Sequence, residues 1–266
     1  MLKHHAPVKI ATFNVNSVNA RLDQLLGWLK QAAPDVVCLQ ETKVTDDAFP
    51  REPIEQAGYA LAVHGQKTYN GVAILSKLPL EDVRERLPGD AHDAQARYIE
   101  AVIGGPSPVR VASIYLPNGN PMGTEKYDYK LAWLERLRAH TQSLLALEEP
   151  LVMAGDYNVI PATGDVHDPE AWRNDALFAP PSRHAFNAFA ALGLTDAFRA
   201  CDTRPGQYTF WDYQAGAWQK NQGLRIDHLM LSPQAADRLK SAGIDRAVRG
   251  WERPSDHVPV WCELSS

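Results

Sequence analysis

Hydrophobic positions along the chain fall into two periods. The run VKIATF at 8–13 is apolar and β-branched, and after an asparagine-rich turn Leu22, Leu25, Leu26 and Leu29 recur at i, i+3, i+4 and i+7, the spacing of one helical face. Pro34 closes that helix and DVVCL at 35–39 is a second buried-strand run, so residues 8–39 read as a β–α–β unit. Further strand-like runs lie at 71–75, 98–103, 109–114, 151–154, 224–231 and 258–264, while Leu131, Leu134, Leu137, Thr141, Leu144 and Leu145 mark a long helix. Only GGPSP separates the runs at 98–103 and 109–114, which predicts a hairpin and therefore an antiparallel or mixed sheet. There is no glycine-rich phosphate loop of either common spacing, no internal repeat, and no linker rich enough in Pro, Gly or Ser to split the chain. The pattern predicts one α/β domain over residues 1–266.

Composition adds little to that picture. The 266 residues are 45% hydrophobic and 22% charged, near the globular mean. The N-terminal stretch MLKHHAPVKIATF has no signal-peptide core, and no apolar run approaches the roughly 18 residues of a membrane helix. A cytoplasmic protein with no membrane partner is expected. Cys38, Cys201 and Cys262 lack zinc-ligand spacing and read as buried small hydrophobes in a reducing compartment, and His4, His5 and His64 carry no metal signal. A net charge of −5, from 27 Lys and Arg against 32 Asp and Glu, argues against broad clinging to polyanions but leaves a local acidic pocket or basic rim open.

Candidate chemistry sits where the apolar runs end. Asn14 and Asn16 follow VKIATF, Glu41 follows DVVCLQ, Asp156 and Asn158 follow LVMAG, Asp227 lies inside LRIDHLML, and Asp256–His257 precede VPVW. Loops at one edge of a sheet converge, so acids distant in sequence can meet in one pocket. Acids, amides and a histidine are the inventory of an oxygen-rich Mg²⁺ site with a general base. Each residue also has a plainer reading. Asp and Asn after a strand serve as turn formers or helix caps, Asp227 could pair with Arg225, and His257 could be a satisfied core histidine.

Seven ordered motifs, TFNVN at 12–16, LQETK at 39–43, YLPNG at 115–119, GDYN at 155–158, YTFWDY at 208–213, GLRIDH at 223–228 and SDHVPV at 255–260, resemble those of the exonuclease III / apurinic-apyrimidinic endonuclease family. The resemblance implies a four-layered α/β sandwich, two mixed β-sheets packed face to face with helices outside. It also implies a Mg²⁺-dependent phosphodiesterase, with Mn²⁺ as the alternative ion, that repairs DNA by cutting 5′ to abasic sites and trimming blocked or ordinary 3′ ends of duplexes as a monomer. By the same resemblance Glu41 is the main metal ligand, with Asn14, Asn16 and Asp256 completing the metal surroundings. Asp156 orients or deprotonates water, Asn158 steadies it, Tyr115 and His257 meet the phosphate, and Asp227 holds His257. Arg97 and Asn118 match phosphate-proximal positions, and Trp211 an aromatic beside an extrahelical sugar, its plain reading being a core aromatic. Departures at 119–123, which lacks an arginine that some relatives carry, and in the loop 163–174 bear on the balance of endonuclease, 3′-phosphodiesterase and exonuclease activities. The competing readings are a 3′-end enzyme with little abasic-site cleavage and a small-molecule phosphodiesterase or phosphatase of the wider superfamily.

Overall fold

The computed structural model describes residues 6–266; residues 1–5, which hold His4, His5 and the start of the N-terminal stretch, lie outside them. The strands are β1 (Val8–Asn14), β2 (Val36–Gln40), β3 (Ala60–His64), β4 (Val72–Ser76), β5 (Leu80–Glu85), β6 (Tyr98–Ile103), β7 (Val109–Tyr115), β8 (Leu151–Asp156), β9 (Thr195–Asp196), β10 (Asp227–Leu231), β11 (Leu239–Ile244) and β12 (Val260–Leu264). The helices are α1 (Leu22–Ala32), α2 (Arg51–Gln56), α3 (Glu125–Leu145), α4 (Pro169–Trp172), α5 (Pro180–Ala191), α6 (Ala197–Cys201) and α7 (Pro233–Ala236). Among the described residues no helix is long and apolar enough to cross a membrane.

Two six-stranded sheets result, ordered β11-β12-β1-β2-β4-β3 and β5-β6-β7-β8-β10-β9. Both are mixed. β1 and β2 are parallel across α1, as the β–α–β reading requires, and β7 and β8 are parallel across α3. β6 and β7 form the expected antiparallel hairpin. Side chains alternate across each strand. In β1, Ile10 faces a core shared with Ile99, Val111, Val152 and Leu229 of the other sheet, while Ala11 and Phe13 face Leu25, Trp28 and Leu29 of α1. In the second sheet Ala112, Ile114 and Met153 face Trp133, Leu134 and Leu137 of α3 and Phe186 and Phe189 of α5. Helix, sheet, sheet and helix are therefore stacked as the expected four layers. The central strands are buried on both faces, which is why they read as unbroken apolar runs.

The differences from expectation are at edges and ends. β3, β5, β9 and β11 were not anticipated: β5, LEDVRE, is an edge strand almost wholly exposed, so it carries no apolar signature. The run at 224–231 becomes a strand only from Asp227, since Leu224 makes only isolated bridges to Val166 and Phe210. Cys38 and Cys262 are buried as expected, but Cys201, in the last turn of the short α6, is exposed.

Register places the polar strand ends together. Tyr115 pairs with Asp156 and Asp156 with Asp227 across β7, β8 and β10, and Asn14 lies opposite Gln40, one residue before Glu41. Gly155 permits this: a Cβ there would stand 2.0 Å from the Ile114 carbonyl oxygen.

Candidate active site

Both sheets end at one polar junction. Asn14 is buried at the end of β1, and its amide nitrogen donates to Glu41 Oε1 at 2.8 Å and to Asp156 Oδ2 at 2.9 Å, joining one sheet to the other. The Asn16 backbone N–H donates to Asn14 Oδ1 at 3.0 Å, which fixes which way that amide points. Asn14 thus orients the two carboxylates, and its own oxygen is taken. Asn16 is occupied in the same way, its oxygen accepting from Lys43 Nζ and its nitrogen donating to Asp256 Oδ1 at 3.1 Å.

Asn16, Glu41 and Asn158 all take left-handed backbone conformations, with φ of 43°, 51° and 46°. For a residue such as Glu41 this is uncommon and costs on the order of 1–3 kcal/mol. Surrounding bonds enforce it: the Glu41 carbonyl accepts from Ser17 N at 2.7 Å, and Asn158 N donates to Asp156 Oδ1 at 2.9 Å. Strain of this kind, held where strands end, aims side chains into the junction.

His257 is buried, with Nδ1 2.9 Å from Asp227 Oδ2 and Nε2 3.7 Å from Asp156 Oδ2. Burial would discharge the ring, but Asp227, Asp156 and Asp256 outweigh it and raise its pKa to about 10, so it is an imidazolium at neutral pH. Asp156 shows the reverse balance. Burial, with Asp227 and Glu41 nearby, overcomes the pull of His257 and lifts its carboxyl above the ordinary carboxylate range. Burial also pushes Glu41 up, but Lys43, the Asn14 amide and His257 hold it below the ordinary carboxylate range. Burial and the two carboxylates Glu41 and Asp156 raise Tyr115 well above its usual value, so it stays a hydroxyl donor. One atom each from Glu41, Asp156 and His257 lies within 4.8 Å of the others. The group opens into a cavity of about 600 Å³, walled on its polar side by Tyr115, Asn118, Asn158 and Asp256 and on its apolar side by Phe210 and Leu224.

The Endonuclease/Exonuclease/phosphatase family profile matches residues 11–257, a span containing every one of these side chains. The chain belongs to this family. Exodeoxyribonuclease III of Haemophilus influenzae is 34% identical, over 97% of this chain and 100% of that protein. An AP endonuclease of Archaeoglobus fulgidus superposes with a TM-score of 0.92 at 38% identity, and the 3′-5′ exonuclease NExo of Neisseria meningitidis with 0.93 at 39%, each covering 97% of this chain and 100% of the other. The chain is thus a hydrolytic nuclease of the exodeoxyribonuclease III / AP endonuclease type.

Against the family pattern, the structure brings Asn14, Glu41, Tyr115, Asn118, Asp156, Asn158, Asp227, Asp256 and His257 to one junction. Trp211 is a correction. Its ring is 0% exposed, packed edge-on to Trp218 at 4.9 Å between centroids, and its indole N–H donates to Asn221. Alternation along the chain turns Trp211 inward and leaves its neighbour Phe210 on the cavity wall, 5.0 Å from the His257 ring. Arg97 does not line the cavity; its guanidinium stacks on the Tyr115 ring at 4.8 Å and donates to the Tyr115 carbonyl. Nor does Arg225 pair with Asp227: it bonds Asp165 and Asp196, each at 2.7 Å. Sequence reasoning missed Thr209, whose hydroxyl donates to Asp227 Oδ2 at 2.6 Å, although it stands inside the YTFWDY motif. It also passed over Lys43, Lys130 and the cavity residues His167, Trp172 and Asp175.

Proposed function

We propose that this nuclease is a divalent-metal enzyme of DNA repair that hydrolyses phosphodiesters 5′ to abasic sites and at blocked or ordinary 3′ ends of duplex DNA. The observation that carries the reading is one cavity holding two carboxylates, Glu41 and Asp156, against an imidazolium, His257, pinned by Asp227. A phosphodiester in that cavity would present its oxygens to His257 and to the Tyr115 hydroxyl, where charge gathers in the transition state. Asp156, made more basic than an ordinary carboxylate by burial and by Asp227 and Glu41, faces the cavity with Asn158 beside it and would take a proton from the attacking water.

The donor set also fits a hard cation. Glu41 is held below the ordinary carboxylate range and so stays charged, and one atom each from Glu41, Asp156 and His257 lies within 4.8 Å of the others. Glu41 would hold Mg²⁺ or Mn²⁺, with Asp256 and Asn16 alongside, while Asn14 orients the Glu41 and Asp156 carboxylates. A bound cation supplies Lewis-acid stabilisation of phosphoryl charge.

A polymeric substrate is favoured by what surrounds the cavity. Among the described residues the exposed large apolar side chains include Tyr69 (68%), Met122 (37%) and Tyr213 (47%). All three lie on loops continuous with site residues: Tyr69 beside Asn70, whose carbonyl accepts from Lys43 N, Met122 after Asn118 and Asn120, and Tyr213 after Asp212. A small phosphate ester would not reach them. The catalytic set is complete within one chain, which supports residues 1–266 acting as a single domain and a monomer, and the free buried thiols Cys38 and Cys262 suit a cytoplasmic setting.

The second reading, a 3′-end enzyme with little abasic-site cleavage, draws on the Neisseria relative described as a 3′ phosphatase. One assay separates these readings. A duplex with a single abasic analogue, a 3′-phosphate duplex and an intact blunt duplex are compared with a small phosphodiester, with Mg²⁺ or EDTA. Cleavage of the abasic strand that EDTA abolishes supports the proposal; activity on 3′ ends alone selects the second reading, and turnover confined to the small diester overturns both.

A further inference from the structure

Lys130 lies in the first half of α3 and is 0% exposed. A lysine is rarely placed so without a carboxylate, because desolvating an ammonium is costly. Here the ammonium donates to two backbone carbonyls, Asn118 O at 3.0 Å and Asn158 O at 2.5 Å. Burial lowers its pKa to about 7 despite Asp156 and Asp175, so this arrangement strains the charged form. A methionine would fill the same space without that cost but would leave both carbonyls without a donor, so the charge serves to hold these two backbone groups.

The two carbonyls belong to the two segments that wall the polar side of the cavity. Asn118 follows β7 and Asn158 follows β8, and their side chains meet, Asn118 Nδ2 lying 3.4 Å from Asn158 Oδ1. Asn158 Nδ2 also donates to Leu116 O at 2.8 Å. From above, Gly119 closes over the lysine stem: with φ at 88°, a Cβ there would stand 2.5 Å from Lys130 Cδ. The lysine is thus clamped between helix and loop, and among the described residues its head group is the one cation donating to both segments.

We propose that Lys130 is a positioning residue for the nuclease reaction, its ammonium tying the loop of Asn118 to the turn of Asn158 so that both amides face the substrate in fixed register. The inference rests on the proposed reading of that cavity. Removing the ammonium frees two carbonyls and lets the amides drift, and misplacement of this size lowers the rate of the bound complex more than it weakens binding.

The test is Lys130→Met, assayed by single-turnover cleavage of the preferred duplex at saturating enzyme, by duplex affinity, and by thermal melting. The expected result is a single-turnover rate at least 10-fold lower and duplex affinity within 3-fold of wild type, with a cooperative melt that shows the variant folded at the assay temperature. In an Asn158→Ala background the same change should cost clearly less than in wild type, since part of its effect acts through the Asn158 amide. An unchanged rate, or losses that multiply in full with Asn158→Ala, overturns the inference. Gly119→Ala, which pushes on the same stem from the loop, is the second variant should Lys130→Met fold poorly; its rate loss must also shrink in the Asn158→Ala background, and a fully multiplicative loss again overturns it. Turnover by the unaltered chain in the same assay checks the reading of the site, so failure there is distinct from failure of Lys130.

Discussion

Thr209 shows how one hydroxyl settles the use of a buried acid. It donates to Asp227 Oδ2 and accepts from the backbone N–H of Ile226 and Asp227, so the carboxylate has one remaining direction, toward His257 Nδ1. Asp227→Ala and His257→Ala are therefore expected to be non-additive in kcat, the double variant being little worse than the worse single one; fully multiplied losses count against a joint role. Glu41→Gln keeps the Asn14 bond but removes a charge, so the Mg²⁺ concentration giving half-maximal activity should rise at least 10-fold with melting little changed. An unshifted Mg²⁺ titration removes Glu41 from the metal site. Trp211 belongs to a different class. Trp211→Ala should cost about 3–5 kcal/mol of stability, as core aromatics do, and lower activity on duplex and small diester alike; a loss confined to duplex, with normal melting, restores it to the DNA surface. The sequence could not choose here, because Phe210 and Trp211 are adjacent aromatics on opposite faces and period-two alternation has no phase until a partner is known.

At the scale of elements, what was legible was what is buried on both faces. β1, β2, β6, β7 and β8 are legible as apolar runs, and the polar residues that close β1, β2 and β8, namely Asn14, Glu41 and Asp156, are the ones that meet at the junction. The edge strands β5 and β11 are not legible, since an exposed or half-exposed strand need not be apolar. Lys130 and Thr209 were invisible for a related reason: their partners lie 28 and 18 residues away, and no local pattern announces either. Gly155 is the element-level test. Gly155→Ala puts a methyl against the Ile114 backbone, so β7 and β8 must part or shear where Tyr115 faces Asp156. Activity should fall at least 100-fold while circular dichroism keeps its α/β signature. Near-normal activity would show that the β7–β8 spacing at this point is not critical.

For the molecule as a whole, acid stability turns on a histidine outside the cavity. His228 accepts from Arg225 at Nδ1 and donates from Nε2 to the Val159 carbonyl, 3.0 Å away, which leaves no place for a second proton. Burial and Arg225 hold its pKa at about 4, below the usual 6.5. Between those values the unfolded chain binds the proton and the folded one does not, so this contribution is intact above pH 6.5 and fades as pH falls toward 4. Between pH 7 and pH 5 wild type should lose about 2 kcal/mol more than His228→Gln in urea unfolding; parallel losses in the two proteins would remove His228 as the cause. The cavity itself depends on the ends of the chain. Asn14 enters from β1, His257 just before β12, and β12 lies between β11 and β1 in the first sheet, with Val8 opposite Leu264. A chain cut short before Asp256 would carry Glu41 and Asp156 but neither His257 nor the strand that seats β1, so synthesis must pass β12 before a working nuclease can form.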